Sequence, residues 1–259
     1  MLRLLVSVAL CGWMTSSAFA ATFTYNPPGK LVSGSGKGTT TSKDYTPNMR
    51  FPIEKAPAYP NSQVWGAGGS KGPGGGQCAK ANYSYPWWDN YCETRSWTMP
   101  LCPSGTGHQG QDIRPASCEF NKHWVVASED GTITSIGTYI VYMKGKSGTT
   151  HRYGHMKMTA LPIKKGQAVK MGQKLGLVDN DFGGTGTTLH LHYDRKQYIS
   201  GVGTVYVPTY MYLVNSYKKL IGDTGPKCDA AACAAKSGCS GWSACGGFAR
   251  ATIDSFQSL

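Results

Sequence analysis

The sequence predicts an all-β fold with an antiparallel β-sheet core, and three observations support that class. Charged residues make up only 15% of the 259 residues. The chain also contains 34 Gly and 15 Tyr, a composition that favours short strands and loops over long helices. From residue 124 onward, short apolar or alternating runs are separated by Gly-containing turns. Such closely spaced runs are typical of antiparallel strands.

The first 20 residues are predicted to be a cleaved signal peptide. A short basic start, an apolar run over 4–14 and the triplet Ala18-Phe19-Ala20 follow the order typical of such peptides. The apolar run is too short to span a bilayer as a mature helix, and no later segment is long and apolar enough. We therefore expect an exported protein, periplasmic or secreted, with no stable membrane insertion.

Residues 21–76 are rich in Gly, Pro, Ser, Thr and Lys. They are predicted to form an N-terminal arm that partly lies on the main domain, with a disordered linker as the alternative. The main domain is expected over 77–221, followed by a Cys-, Ala- and Gly-rich tail over 222–259. Aromatic residues are frequent over 78–118, where a local core held by disulfides is favoured over a binding groove.

Eight cysteines remain once Cys11 is removed with the signal peptide, and they fall into two groups of four. An even number in an exported chain favours disulfides, and the absence of a Cys-x-x-Cys pair argues against a structural zinc site. We predict four bridges, each formed within one group, which makes the two extensions disulfide-rich. The groups are Cys78, Cys92, Cys102 and Cys118, and then Cys228, Cys233, Cys239 and Cys245.

The strands of the main domain are predicted from runs of β-branched, aromatic and apolar residues. They are expected at 124–127, 132–136, 138–143, 152–156, in short pieces within 163–178, and at 187–194.

A short helix is predicted over 208–220. Pro208 suits its first turn, and Gly222 can end it. Its apolar residues have helical spacing and are expected to pack on the sheet; they are Tyr210, Leu213, Val214 and Tyr217.

The strand over 187–194 carries His190 and His192. Residues two apart in a strand point to the same face, so the two imidazoles should project side by side. Such a pair can ligate a metal, or can combine one metal ligand with one acid/base group. Two polar histidines on a surface strand are the alternative.

Two further motifs carry residue types that bind metals. His108 and Asp112 stand four apart in a Gly-rich stretch, where a flexible backbone lets an imidazole and a carboxylate converge. His155 follows an apparent strand, where a histidine by itself is more often packed or exposed. Of the remaining histidines, His151 could support a site or be merely exposed, and His123 is expected to be structural.

Together these motifs resemble the lysostaphin-type zinc metallopeptidases, a family of peptidoglycan endopeptidases that includes the β-lytic and staphylolytic proteases. The resemblance covers about residues 100–215 and follows the family's order: His-x-x-x-Asp, then Tyr-x-His, then His-x-His. The segments 125–131 and 163–176 also resemble the family's spacers. One departure is Asp194, which stands where the family usually has Glu.

The resemblance implies an antiparallel, lipoyl/duplicated-hybrid-like β core and one Zn²⁺. His108, Asp112 and His192 would be the metal ligands. His155 and His190 would be the catalytic pair that takes a proton from the attacking water and hydrogen-bonds the developing oxyanion. Domain 77–221 would then be a zinc metallopeptidase domain, and the protein a metalloendopeptidase hydrolysing peptide cross-links of peptidoglycan.

The net charge of +12 and the pI of about 9.3 fit an anionic polymer as partner. Nucleic acid is not expected, because no dense Lys/Arg run occurs. Three alternatives stay open: a secreted protease acting on Gly-rich proteins, an enzyme acting on another species' cell wall, and a non-catalytic member that binds cell wall or activates another hydrolase.

Overall fold

The computed structural model describes residues 23–223. In that range the chain forms twelve strands, one α-helix, α1 (Tyr210–Leu220), and two 3₁₀ turns at Lys80–Tyr83 and Met158–Ala160. The strands are β1 (Tyr59–Pro60), β2 (Gln111–Arg114), β3 (Trp124–Val126), β4 (Gly131–Ile136), β5 (Ile140–Gly145), β6 (Thr150–Gly154), β7 (Ala168–Val169), β8 (Lys174–Leu177), β9 (Asp181–Phe182), β10 (Thr185–Gly186), β11 (Leu191–Ile199) and β12 (Gly203–Tyr206).

The main sheet contains eight strands and confirms the predicted all-β, antiparallel class. Its order is β1-β2-β11-β6-β5-β4-β7, and β12 also pairs with β11. Each of these pairings is antiparallel. Two smaller antiparallel pairs, β3 with β8 and β9 with β10, complete the strands of the described range. The nine-residue strand β11 pairs with three neighbours, so residues on it are held on both sides.

The register of β11 brings the predicted motifs together. His192 lies opposite Asp112 on β2 and opposite Gly154 on β6. The strand begins at Leu191, so His190 immediately precedes it and does not lie inside it as predicted. Its backbone N–H donates to the Asp179 carbonyl, and its Nδ1 atom lies 2.7 Å from the carbonyl oxygen of Thr188. Three segments that are far apart in sequence thus meet at one end of β2, β6 and β11.

The predicted helix is confirmed, although it begins at Tyr210, two residues after Pro208. The four apolar residues expected to face the sheet are all buried in the main hydrophobic core. Gly222 follows the helix with φ of +67°, a left-handed conformation that suits Gly and ends helices. None of the helices in the described range is long and apolar enough to cross a membrane.

The segment 23–76 lies on the main domain over much of its length. Phe51 and Ile53 are fully buried in the main core. Ile53 also forms an isolated bridge with Val125, and β1 adds a short strand beside β2. These contacts favour a docked arm over a disordered linker, while the boundary placed after residue 76 stays a prediction.

Two disulfides lie in the described range, Cys78–Cys118 and Cys92–Cys102. Both join members of the first predicted group. Tyr91 is fully buried in a small local core with Cys92, Met99 and Cys102, as expected, whereas Trp87 is buried in the main core. The second cysteine group, the signal peptide and most of the tail lie outside the described residues, so the bridges predicted there stay predictions.

His151 proves to be a core residue, remote from the other histidines of the motifs. It is fully buried on β6, with Nε2 2.7 Å from Glu129 Oε1 and Nδ1 2.7 Å from the Tyr193 hydroxyl. Burial lowers the pKa of His151 below its ordinary value, although the hydrogen bond to Glu129 opposes the shift. The folded protein therefore keeps this imidazole neutral at pH values where the unfolded chain binds a proton.

We expect metal-free protein to lose stability as the pH falls below about 6.5, because the unfolded state then binds protons that folded His151 excludes. Urea unfolding at pH 7.5 and pH 5.5 measures the loss. His151→Gln retains an amide that can contact Glu129 and Tyr193 but does not titrate. An equal loss in this variant and in wild type would contradict the role given to His151.

Candidate metal centre

Three side chains converge on one point: Asp112 on β2, His192 on the neighbouring β11, and His108 in the loop before β2. His108 Nε2 lies 3.1 Å from His192 Nδ1 and 3.4 Å from Asp112 Oδ1. His192 Nδ1 lies 2.9 Å from the same Asp112 oxygen. All three residues are buried, and their ligand atoms form a group that could hold a metal ion. These are the three residues that the family resemblance implied as metal ligands.

The loop before β2 positions His108. Its backbone N–H donates to the Glu93 carbonyl, and its carbonyl accepts from Cys92 N–H. Gly107 has φ of +157°, and a Cβ atom there would lie 2.8 Å from Cys92 Cα. The loop that contains Cys92 and its disulfide therefore packs closely on the backbone that carries His108.

The far nitrogen of each imidazole has an acceptor, and this orients the ring. His108 Nδ1 lies 2.8 Å from the carbonyl oxygen of Asn90. His192 Nε2 lies 2.8 Å from Asp194 Oδ2. With protons on those two nitrogens, His108 Nε2 and His192 Nδ1 present lone pairs toward Asp112. Such outer acceptors commonly select the tautomer of metal-binding histidines.

The cluster favours a cation at its centre. Burial would raise the pKa of Asp112, but His108 and His190 hold it well below its ordinary value, so this residue is a carboxylate. Burial would lower the pKa of His192, yet its hydrogen bonds to Asp112 and Asp194 raise it to about 9. The metal-free cluster thus holds a proton near neutral pH, and a bound metal ion would take its place.

The donor set fits zinc. Two imidazole nitrogens and a carboxylate oxygen are common Zn²⁺ ligands, and three protein ligands leave one position open in a catalytic site. Bonds of about 2.0–2.1 Å in a four-coordinate site require ligand atoms about 3.3 Å apart. The observed separations of 2.9–3.4 Å lie close to that value.

His155 and His190 lie beside this cluster. Their ring centroids are 4.7 Å apart, and His155 lies 6.0 Å from the His192 ring. His190 Nε2 lies 3.4 Å from Asp112 Oδ1. The Nδ1 atoms face the carbonyl oxygens of Asp181 and Thr188, each within 2.8 Å. The Nε2 atom of His190 therefore faces Asp112, and neither imidazole belongs to the group of three ligand atoms.

A left-handed backbone conformation at His155, with φ of +60°, turns its side chain into the site after β6 ends. Its N–H donates to the Tyr139 carbonyl, and its carbonyl accepts from Asp179 N–H. Burial, and then the neighbouring His190 and His192, lower the pKa of His155 to about 3. The imidazole is therefore neutral at ordinary pH and can accept a proton.

The sequence motifs did not point to two groups that the structure places around the metal-binding residues. Asn90 supplies the carbonyl for His108, and its side-chain oxygen accepts from Asp112 N–H. No local pattern marks Asn90, which lies within the aromatic Cys-rich segment. Asp194 was visible as the carboxylate that ends the last motif, but its contact with His192 is a structural finding.

Asp194→Asn is expected to weaken zinc binding about 10- to 100-fold, because an uncharged amide is a weaker acceptor for His192 Nε2–H. Competition with a chromogenic chelator measures the affinity. Asp130→Asn removes a carboxylate from a half-buried site outside the metal-binding group and serves as the matched control. Equal affinity in the two variants would mean that Asp194 does not support His192.

The segment that carries this site is similar to a known protein family. Residues 106–201 match the model of peptidase family M23. That segment contains all five histidine and aspartate residues described above, together with Asp194.

Solved structures of other proteins resemble this chain with low sequence identity and low TM-scores. The catalytic domain of the antimicrobial peptidase lysostaphin from Staphylococcus simulans is 22% identical, with a TM-score of 0.36 over 51% of this chain and 92% of that one. A chain described as the glycyl-glycine endopeptidase LytM of Ruminococcus gnavus is 25% identical, with a TM-score of 0.38. The match covers 43% of this chain and 47% of the Ruminococcus chain, so it spans less than half of that protein.

Proposed function

We propose, on the premise that residues 106–201 belong to peptidase family M23, that this protein is an exported enzyme that hydrolyses peptide cross-links of bacterial peptidoglycan. The family match makes this segment a zinc-dependent metallo-endopeptidase domain. The observation that carries the proposal is the buried group of His108, Asp112 and His192 with two further imidazoles beside it. The peptidoglycan substrate and the export of the protein are the two parts of this proposal that the family match does not supply.

The residues around the group can perform peptide hydrolysis. Zn²⁺, when bound, supplies a Lewis acid and lowers the pKa of water toward neutrality. His155, which is neutral at ordinary pH, and His190 lie beside the metal-binding group, so one of them can take a proton from the attacking water as it reacts. The other, once it carries a proton, can hydrogen-bond the oxyanion that develops on the peptide carbonyl.

Three observations support the proposal that an exported enzyme acts on peptidoglycan. Lysostaphin and LytM, with which the fold shows likeness, are described as an antimicrobial peptidase and a glycyl-glycine endopeptidase. The net charge of +12 would attract an anionic polymer. The apolar run and small residues before position 21 fit export to the compartment where cell wall is found.

The test is digestion of purified sacculi by the zinc-loaded protein lacking residues 1–20, with mass spectrometry of the released muropeptides. We expect products that differ from the undigested wall by water added at one type of peptide bond. Casein and a pentaglycine peptide, assayed in parallel, address the alternative of a protease for Gly-rich proteins. Hydrolysis of these two substrates without release from sacculi would contradict the proposal.

A further inference from the structure

The cleft that contains the metal-binding residues is lined partly by the family-matched segment and partly by residues that precede it in the chain. Its volume is about 510 Å³, and one side is formed by residues of the family-matched segment, including His155, Phe182 and Thr188. The other side is formed by residues that precede that segment, namely Gln63, Val64, 68–70, Arg95 and Trp97. Side chains outside the shared peptidase segment therefore contact any substrate that fills the cleft.

Arg95 is the one lining residue with a permanent positive charge among the described residues of this cleft. Its Nη2 atom lies 3.3 Å from Glu93 Oε2, and Nη1 donates to the Thr94 carbonyl. A guanidinium has five N–H donors, so these contacts leave others for a ligand. The Arg95 side chain is 19% exposed, enough to reach a molecule in the cleft while staying partly shielded from water.

The position of Arg95 relative to the metal centre is held by backbone contacts. Glu93, which pairs with Arg95, is fully buried, and its carbonyl accepts from the backbone N–H of His108 over 2.8 Å. The Trp97 carbonyl accepts from Gly107 N–H, beside the same ligand. The charge therefore stands on a segment that is hydrogen-bonded to the metal-binding loop.

Two exposed aromatic side chains flank the cleft. Trp97 is 44% exposed and Phe182 is 43% exposed, and they come from different walls. A ligand that fills the cleft and covers these rings would displace water from it, and a charge-assisted hydrogen bond is stronger where water is excluded. The cleft thus combines a few apolar side chains with one cation in the cavity that also contains the metal-binding group.

We propose that Arg95 is a specificity residue that binds a free carboxylate of the peptide substrate near the scissile bond. The inference rests on the proposed function and narrows it: the favoured substrate is an acidic stem peptide, since a neutral glycine bridge has no side-chain carboxylate. The planar guanidinium can bind such a carboxylate through two parallel hydrogen bonds, which a lysine cannot reproduce.

The experiment compares native sacculi with sacculi whose carboxylates have been converted to primary amides by carbodiimide and ammonia. Wild-type protein should release muropeptides faster from the native wall. Arg95→Gln should reduce the native-to-amidated rate ratio about tenfold or more, the effect of one charge-assisted hydrogen bond. Arg95→Lys should have a ratio between those of Arg95→Gln and wild type. A lysine keeps the positive charge but lacks the planar guanidinium that makes two parallel hydrogen bonds.

Lys80→Gln is the matched control for general attraction between a basic protein and an anionic wall. Lys80 is exposed, precedes the family-matched segment as Arg95 does, and does not line the cleft. The native-to-amidated rate ratio of Lys80→Gln should equal that of wild type. Measurements of zinc content and melting temperature should show that each variant is folded. A ratio for Arg95→Gln equal to that of Lys80→Gln would overturn the carboxylate site alone. If wild type releases nothing from either wall, the proposed function itself fails.

Discussion

Replacing His192 with Ala is expected to remove both the metal and the activity. His192 Nδ1 is one of three converging ligand atoms, and the other two alone form an incomplete zinc site. We expect bound zinc to fall from about one ion per chain to none, and release from sacculi to fall at least about 10³-fold, as a Lewis acid supplies several kcal/mol. Metal analysis after dialysis and the sacculus assay measure the two effects.

His123→Ala is the control for this experiment. His123 contacts Ser117 outside the metal-binding group and lies between the first and second motifs. This variant should keep its zinc and its activity. Full activity in a wild-type preparation that contains no zinc would contradict the assignment, as would zinc retained by His192→Ala.

Alanine at His155 or at His190 is expected to separate catalysis from metal binding. Neither residue belongs to the group of three ligand atoms, yet both imidazoles lie against it. Each variant should keep about one zinc per chain and lose roughly 10²–10³-fold in activity, the usual contribution of a proton-transfer or oxyanion contact. The same metal analysis and sacculus assay apply.

His190→Ala gives the sharper result of the pair, because His190 and His192 are two residues apart and both approach Asp112 Oδ1. Loss of zinc from His190→Ala would make it a ligand and overturn the division of roles. Near-wild-type activity would instead mean that His190, although buried beside the metal-binding group, takes no part in catalysis. Unchanged melting temperatures for the metal-free variants would exclude a folding defect as the cause.

Local sequence pattern was sufficient for several elements. A spacing of two put His190 and His192 on the same side, since strand side chains alternate in direction, and both approach the same carboxylate even though β11 begins after His190. Helical spacing correctly predicted the buried face of α1. Both are properties of neighbouring residues, so they can be read without knowing the rest of the fold.

The predicted ligand group depended on resemblance as well as on spacing. His108 and Asp112 are four apart, but His192 lies 80 residues beyond Asp112, and they meet through the pairing of β2 with β11. Sequence periodicity does not specify which strands become neighbours. The order of the motifs supplied that information, because the resemblance linked them to one site.

The tertiary structure alone decided what surrounds that site. Asn90 orients His108, Arg95 enters the cleft, and Phe51 of the N-terminal segment is buried in the main core. Each of these residues lies in a segment with no regular hydrophobic period, and each acts through partners distant in the chain. A residue type and its immediate neighbours determine local conformation, but contacts of this kind depend on how separate segments pack.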